Sequence, residues 1–173
     1  MISTLYQIVH SGFQRMRLLQ FAIIFALISI ELSLKFVLER SLEAWHESVP
    51  VFPGFNLTLS HNRGISFGVL ESEHWLAPYL LSSFAIIAVV VGLGWAAKQC
   101  SGLINTAGIF FAAGGMANAI DRLGDGAVTD YLDIGWRSMR WPTFNLADVF
   151  IFIGVALFLI GVRVNSTLLR SEK

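Results

Sequence analysis

The chain has 173 residues, 55% apolar and 14% charged, with 12 Lys and Arg balancing 12 Asp and Glu. Soluble globular proteins carry roughly 25% charged residues, so this composition excludes an ordinary soluble enzyme and a disordered chain, and zero net charge offers no bulk attraction to nucleic acid. A single cysteine, Cys100, excludes an internal disulfide framework and a cysteine-cluster metal site.

Crossing about 30 Å of hydrocarbon takes about 20 helical residues. Four stretches are long and apolar enough: residues 18–38, 76–97, 103–120 and 146–164. The first follows Arg15 and Arg17 as a signal peptide would, but its apolar run is too long and no small-residue cleavage site follows. It reads as an uncleaved anchor. Within it Glu31 and Lys35 stand four apart, on one helix face. Charges at membrane depth are expensive and read as functional by default. Lys35 is expected to snorkel to the outer interface; Glu31 lies deeper and requires a partner in the bundle.

Residues 39–74 form the first long loop. Phe55, Leu57 and Leu59 alternate there with Asn56, Thr58 and Ser60, a period-2 strand signal bounded by Pro50, Pro53 and Gly54. Asn62-Arg63-Gly64 reads as a tight turn leading into a short apolar strand over 64–70. The second span opens with Pro78 in its first turn, where a missing N–H is harmless. The third ends in a run of small residues, Ala112-Ala113-Gly114-Gly115, that lets another backbone approach closely. Asn118 and Asp121 follow on one face. Asp121 sits at the negative end of the helix dipole and needs a cation such as Arg122. An Asp121–Arg122 clamp on the outer loop and a substrate-contacting role fit this spacing equally well.

The second loop, residues 121–145, contains Asp130 and a short apolar strand over 131–136. Asn145 suits the N-cap of the fourth span, with Asp148 at N3. Capping accounts for Asn145, only partly for Asp148, and not for Asp130. Arg15, Arg17, Lys98, Arg163, Arg170 and Lys173 cluster on one side of the spans with little acid, so both termini read as cytoplasmic and both long loops as external. A small sheet lying on the outer membrane surface fits those loops.

Asp130 and Asp148 both fall near that surface and can converge. Two carboxyls about 3 Å apart cannot both ionise cheaply, so one pKa rises and the pair shares a proton. The ionised member can take a proton from water while the protonated member polarises a carbonyl, which is aspartic-protease chemistry. Two other readings compete. One is a non-catalytic membrane scaffold. The other is a small transporter with Glu31, Lys35, Asn118 and Asp121 as a polar path, against which stand four short spans without broken helices or repeats.

Five pieces in order, on a four-span frame, resemble bacterial lipoprotein signal peptidase (signal peptidase II). They are Glu31-Leu32-Ser33-Leu34-Lys35, Asn62-x-Gly64-x-x-Phe67, Gly114-Gly115-x-x-Asn118-x-x-Asp121-Arg122, Gly126-x-Val128-x-Asp130-Tyr131 and Phe144-Asn145-x-Ala147-Asp148. The resemblance implies an all-α membrane protein of four transmembrane helices with a small extracytoplasmic β-sheet, the β-cradle, as one domain. It implies an aspartic endopeptidase without cofactor or metal, in the bacterial inner membrane with its site at the outer face. Such an enzyme removes the signal peptide of prolipoproteins just before a diacylglyceryl-modified cysteine. Implied partners are these substrates, membrane lipid and cyclic peptide inhibitors of the globomycin type, with no nucleic acid and a monomeric enzyme. Asp130 and Asp148 match the family's catalytic pair, and the start of the fourth helix favours Asp148 as the ionised member. Asp121 and Arg122 match positions that support the site. Asn62, Gly64, Asn118 and Asn145 match its other polar positions, and Glu31 and Lys35 match its first motif. Two residues depart from the family pattern: Glu31 stands where Asp is usual, and Ala117 where Gly is usual.

Overall fold

The computed structural model describes residues 2–45, 48–64, 74–99, 101–136 and 139–171. The strand expected over 64–70 lies outside the described residues from position 65 onward, as do Phe67 and Cys100.

Four helices form: α1 (Ile2–Trp45), α2 (Ala77–Ala96), α3 (Gly102–Asp125) and α4 (Leu146–Ser171). Their membrane-length portions are Arg17–Glu43, Ala77–Ala96, Gly102–Asp125 and Leu146–Val164, so each expected span is present. The main difference is at the end of α3, which continues to Asp125 rather than ending at 120. Hydropathy falls at Asp121, but the helix runs on until Gly126 takes the left-handed conformation (φ 75°), its N–H bonded to the Arg122 carbonyl at 3.0 Å. A residue without Cβ adopts that cap at no steric cost.

α3 is the centre of the bundle. It packs against α1, α2 and α4, whereas α2 and α4 scarcely touch each other. Its small residues explain the closeness. A Cβ on Gly114 would run into the Ala147 carbonyl in the first turn of α4, and one on Gly115 would lie 2.8 Å from Val89 Cγ2 of α2. Ala112, Ala113 and Ala117 are fully buried along the same helix. Around the outside, Phe21, Phe25, Phe84, Phe152 and Leu159 are exposed. On a soluble protein such a surface would be an association liability; on a bundle of spans it is the lipid-facing belt.

At the end where α1 and α3 finish and α2 and α4 begin sits an antiparallel sheet of β1 (Val49–Phe52), β2 (Phe55–Asn62), β3 (Val128–Trp136) and β4 (Met139–Arg140), in that spatial order. The β2 strand matches the alternating pattern. β1 does not match any expectation, because Pro50 and Pro53 read as boundaries. It is an edge strand, where a proline's missing N–H costs no ladder bond, and Pro50 pairs with Asn56. β3 starts at Val128 rather than 131, so Asp130 stands on a paired strand instead of in a loop.

Candidate active site

Buried polar side chains gather where the sheet meets the bundle: Glu31, Lys35, Asp121, Arg122, Thr129, Asp130 and Asn145. Buried polar groups require partners, and their partners define the site.

The start of α4 is a reciprocal capping box. Asn145 Oδ1 accepts the Asp148 N–H at 2.9 Å, and Asp148 Oδ2 accepts the Asn145 N–H at 3.2 Å. The expected cap is therefore present, but it does not exhaust either residue. Asn145 Nδ2 donates to Asp130 Oδ1 at 2.6 Å and to the Thr129 carbonyl at 3.3 Å. Asp148 Oδ1 accepts from Asn118 Nδ2 at 2.9 Å. One residue thus straps β3 to the first turn of α4: its amide nitrogen holds the Asp130 carboxylate and its backbone N–H the Asp148 carboxylate.

Asp130 is 2% exposed. Burial, then the neighbouring Asp148 charge, pushes its carboxyl up to about 7, against the lowering effect of hydrogen bonds from Asn145 and Asn62. Asp130 and Asp148 line one cavity of about 750 Å³. Asn62, Asn118 and Arg122 share its polar end, while Phe84 of α2, Phe111 of α3 and Phe152 of α4 line its apolar length. The groove runs between α2 and α4 with α3 as its floor.

Lys35 does not snorkel. It is 2% exposed, and its Nζ donates to Asp121 Oδ2 at 2.7 Å and to Asn118 Oδ1 at 2.8 Å. The expected cation for Asp121 is corrected with it: Asp121 pairs with Lys35 rather than Arg122, and also accepts the Thr129 N–H at 2.7 Å. A carboxylate across the bundle holds the ammonium inside because desolvating one charge alone costs more than the pair. Arg122 instead donates to the Gly64 carbonyl at 2.7 Å, so it does clamp the first long loop, without Asp121. The turn there is closed by the Gly64 N–H donating to Asn62 Oδ1 at 2.9 Å.

Glu31, fully buried, lies 3.8 Å from Lys35 Nζ. Its close partner is the Tyr131 hydroxyl, which donates to Oε2 at 2.9 Å. Every site residue expected from the sequence therefore falls in one connected cluster. Thr129 and Tyr131 were missed. Both alternate with Asp130 on β3, so they face the opposite side of the strand. A phenol in an apolar strand, which needs a partner once buried, was the available signal.

A family model described as signal peptidase (SPase) II matches residues 23–164 of the chain. Curated relatives named lipoprotein signal peptidase include one from Alteromonas mediterranea, 35% identical over 122 residues (69% of this chain, 67% of that protein). Another, from Syntrophotalea carbinolica, is 31% identical over 154 residues (84% and 94%). A third, from Yersinia pestis, is 40% identical over 118 residues (66% and 69%). Among solved structures, a bacterial membrane enzyme determined by the in meso method at 2.3 Å is similar in fold, with TM-score 0.73 at 23% identity, covering 85% of this chain and 88% of that one.

Proposed function

The chain belongs to the signal peptidase II family, and we propose that it removes the signal peptide of prolipoproteins by aspartic catalysis, with Asp130 and Asp148 as the catalytic pair. The observation that carries this reading is the Asn145 strap, whose amide nitrogen holds the Asp130 carboxylate and whose backbone N–H holds the Asp148 carboxylate, at the polar end of an otherwise apolar groove.

In this mechanism Asp148 is the ionised member. It sits in the first turn of α4, where the helix dipole favours a negative charge, and accepts hydrogen bonds from the Asn145 N–H and Asn118 Nδ2. Asp130, pushed up to about 7, carries the proton. Asp148 takes a proton from water as the water oxygen bonds to the scissile carbonyl carbon. Asp130 gives its proton to the carbonyl oxygen. The tetrahedral diol then collapses: the C–N bond breaks, the leaving amine takes the proton from Asp148, and a diol hydroxyl returns one to Asp130. The shared proton belongs to the pair, so titration reports both groups together.

The substrate class follows from the groove. An apolar channel between spans suits a signal helix and acyl chains. Its polar end suits the scissile bond just before a diacylglyceryl-modified cysteine, and a globomycin-type cyclic peptide would compete for the same space. Orientation follows from charge: Arg17, Lys98 and Arg163 mark the end of the bundle opposite the sheet, as cytoplasmic ends do. The sheet and the dyad then lie at the outer face of the bacterial inner membrane, with both termini inside and the enzyme acting as a monomer without a metal.

The test is turnover of a diacylglyceryl-modified precursor by Asp130→Asn, Asp148→Asn and the double variant, with thermal stability as control. Each single variant should lose turnover and stay folded. The double should be no worse, because residues that act as a unit lose activity non-additively. Substantial turnover by either single variant removes that residue from the pair.

A further inference from the structure

We infer that Tyr131 is a positioning residue for the catalytic pair: its phenol, oriented by Glu31, pins the first residue of α4 and so sets where Asp148 stands. The inference rests on the reading of Asp130 and Asp148 given above.

Tyr131 follows Asp130 on β3 and is 1% exposed. Its hydroxyl donates to Glu31 Oε2 at 2.9 Å and accepts the Leu146 N–H at 3.2 Å. Leu146 opens α4, and the first N–H groups of a helix have no partner within it. Asn145 Oδ1 satisfies the Asp148 N–H, and the Tyr131 phenol satisfies that of Leu146. The segment before the cap already runs along β3: Phe144 accepts from the Tyr131 and Leu132 N–H groups at 3.0 and 2.8 Å and donates to the Leu132 carbonyl at 3.0 Å. The phenol carries that attachment one step further, into the helix.

Glu31 gives the hydroxyl its direction. The Leu146 N–H can only donate and a carboxyl oxygen of Glu31 accepts, so the O–H turns towards α1 and leaves a lone pair for Leu146. Glu31, Tyr131 and Leu146 thereby join α1, β3 and α4 beside Asp148. An acid one methylene shorter would fall short of the hydroxyl. Gln keeps the reach and an accepting oxygen.

The experiment measures kcat and KM on a diacylglyceryl-modified precursor for Tyr131→Phe, Glu31→Asp, Glu31→Gln and Glu31→Asp/Tyr131→Phe, normalised to folded enzyme. Loss of one positioning hydrogen bond corresponds to about a tenfold fall in kcat, with KM unchanged, for Tyr131→Phe and for Glu31→Asp. The double variant should match the singles, and Glu31→Gln, which keeps the reach and an accepting oxygen, should lose less kcat than Glu31→Asp. A wild-type kcat per folded molecule in Tyr131→Phe overturns the inference even where Tm falls, as does a double variant whose losses multiply. If Tyr131→Phe does not fold, the contrast between Glu31→Asp and Glu31→Gln decides, and equal kcat in these two overturns it. Turnover surviving in Asp130→Asn or Asp148→Asn instead sinks the catalytic pair. Dead dyad variants beside a fully active Tyr131→Phe sink only the positioning role.

Discussion

Replacing Lys35 by Met keeps an unbranched side chain one atom shorter and removes its charge. The ammonium contacts Asp121 Oδ2 at 2.7 Å and Asn118 Oδ1 at 2.8 Å, with Glu31 Oε1 at 3.8 Å. Without it, Asp121 retains the Thr129 N–H at 2.7 Å and the Thr129 hydroxyl at 3.4 Å, but no cation in ion-pair contact among the described residues. Breaking a buried pair from one side costs about 3–5 kcal/mol, whereas a solvent-exposed pair would cost at most about 1 kcal/mol. The difference is large enough to measure. Unfolding of Lys35→Met, Asp121→Asn and the double variant, read by denaturant titration in detergent, supplies the cycle. Each single change should cost about 3 kcal/mol or more. The double should fall short of their sum by about 2 kcal/mol, since it leaves neither charge stranded. Strictly additive losses, or a Lys35→Met within about 1 kcal/mol of wild type, would refute the buried-pair reasoning. Turnover should fall as well, because Asn118, which holds Asp148, loses its anchor.

Asp130 is pushed up to about 7 and in the proposed mechanism carries a proton to act, so turnover should fall as pH rises through about 7, and a flat pH–rate profile across that range would contradict the proposed assignment. The same raised value means that the folded state holds this proton more tightly than the unfolded chain, whose Asp titrates near 3.9. Stability is therefore lost between about pH 4 and about pH 7, and Asp130→Asn should raise Tm more at about pH 8 than at about pH 5, as calorimetry can check. Asn145→Ala should lower stability by about 1–2 kcal/mol as a lost cap, while turnover falls further than stability explains, because the amide that holds the Asp130 carboxylate goes with it. Gly114→Ala drives a Cβ into the Ala147 carbonyl. It should cost about 1–3 kcal/mol and depress turnover by displacing the first turn of α4; unchanged unfolding would argue against that close approach.

What could be read from the sequence was what is local or periodic. The spans follow from their length, and the Phe55–Ser60 alternation became β2. The Asn145–Asp148 cap was legible because its partners stand three residues apart. Lys35 was misread because its depth in the first span suggested an escape to the interface, while the residues that hold it, Asn118 and Asp121, lie 83 and 86 positions away. Nothing in the chain's linear order announces that meeting. The pairing of Asp121 with Arg122 was the local option, and a tertiary one displaced it. β1 was hidden because proline breaks a central strand but not an edge. The convergence of Asp130 and Asp148 depends on Asn145 reaching back to β3, which spacing alone does not specify.

The sparse contact between α2 and α4 has a kinetic consequence. The gap between them opens the groove sideways, so on the proposed function a substrate anchored in the bilayer would enter by lateral diffusion. Encounter frequency is then governed by how many substrate molecules share each unit area of membrane rather than each unit volume of buffer. Surface dilution therefore becomes a control variable. Adding inert lipid or detergent at fixed amounts of enzyme and precursor should slow the reaction, while diluting the whole suspension with buffer should leave the rate per enzyme unchanged.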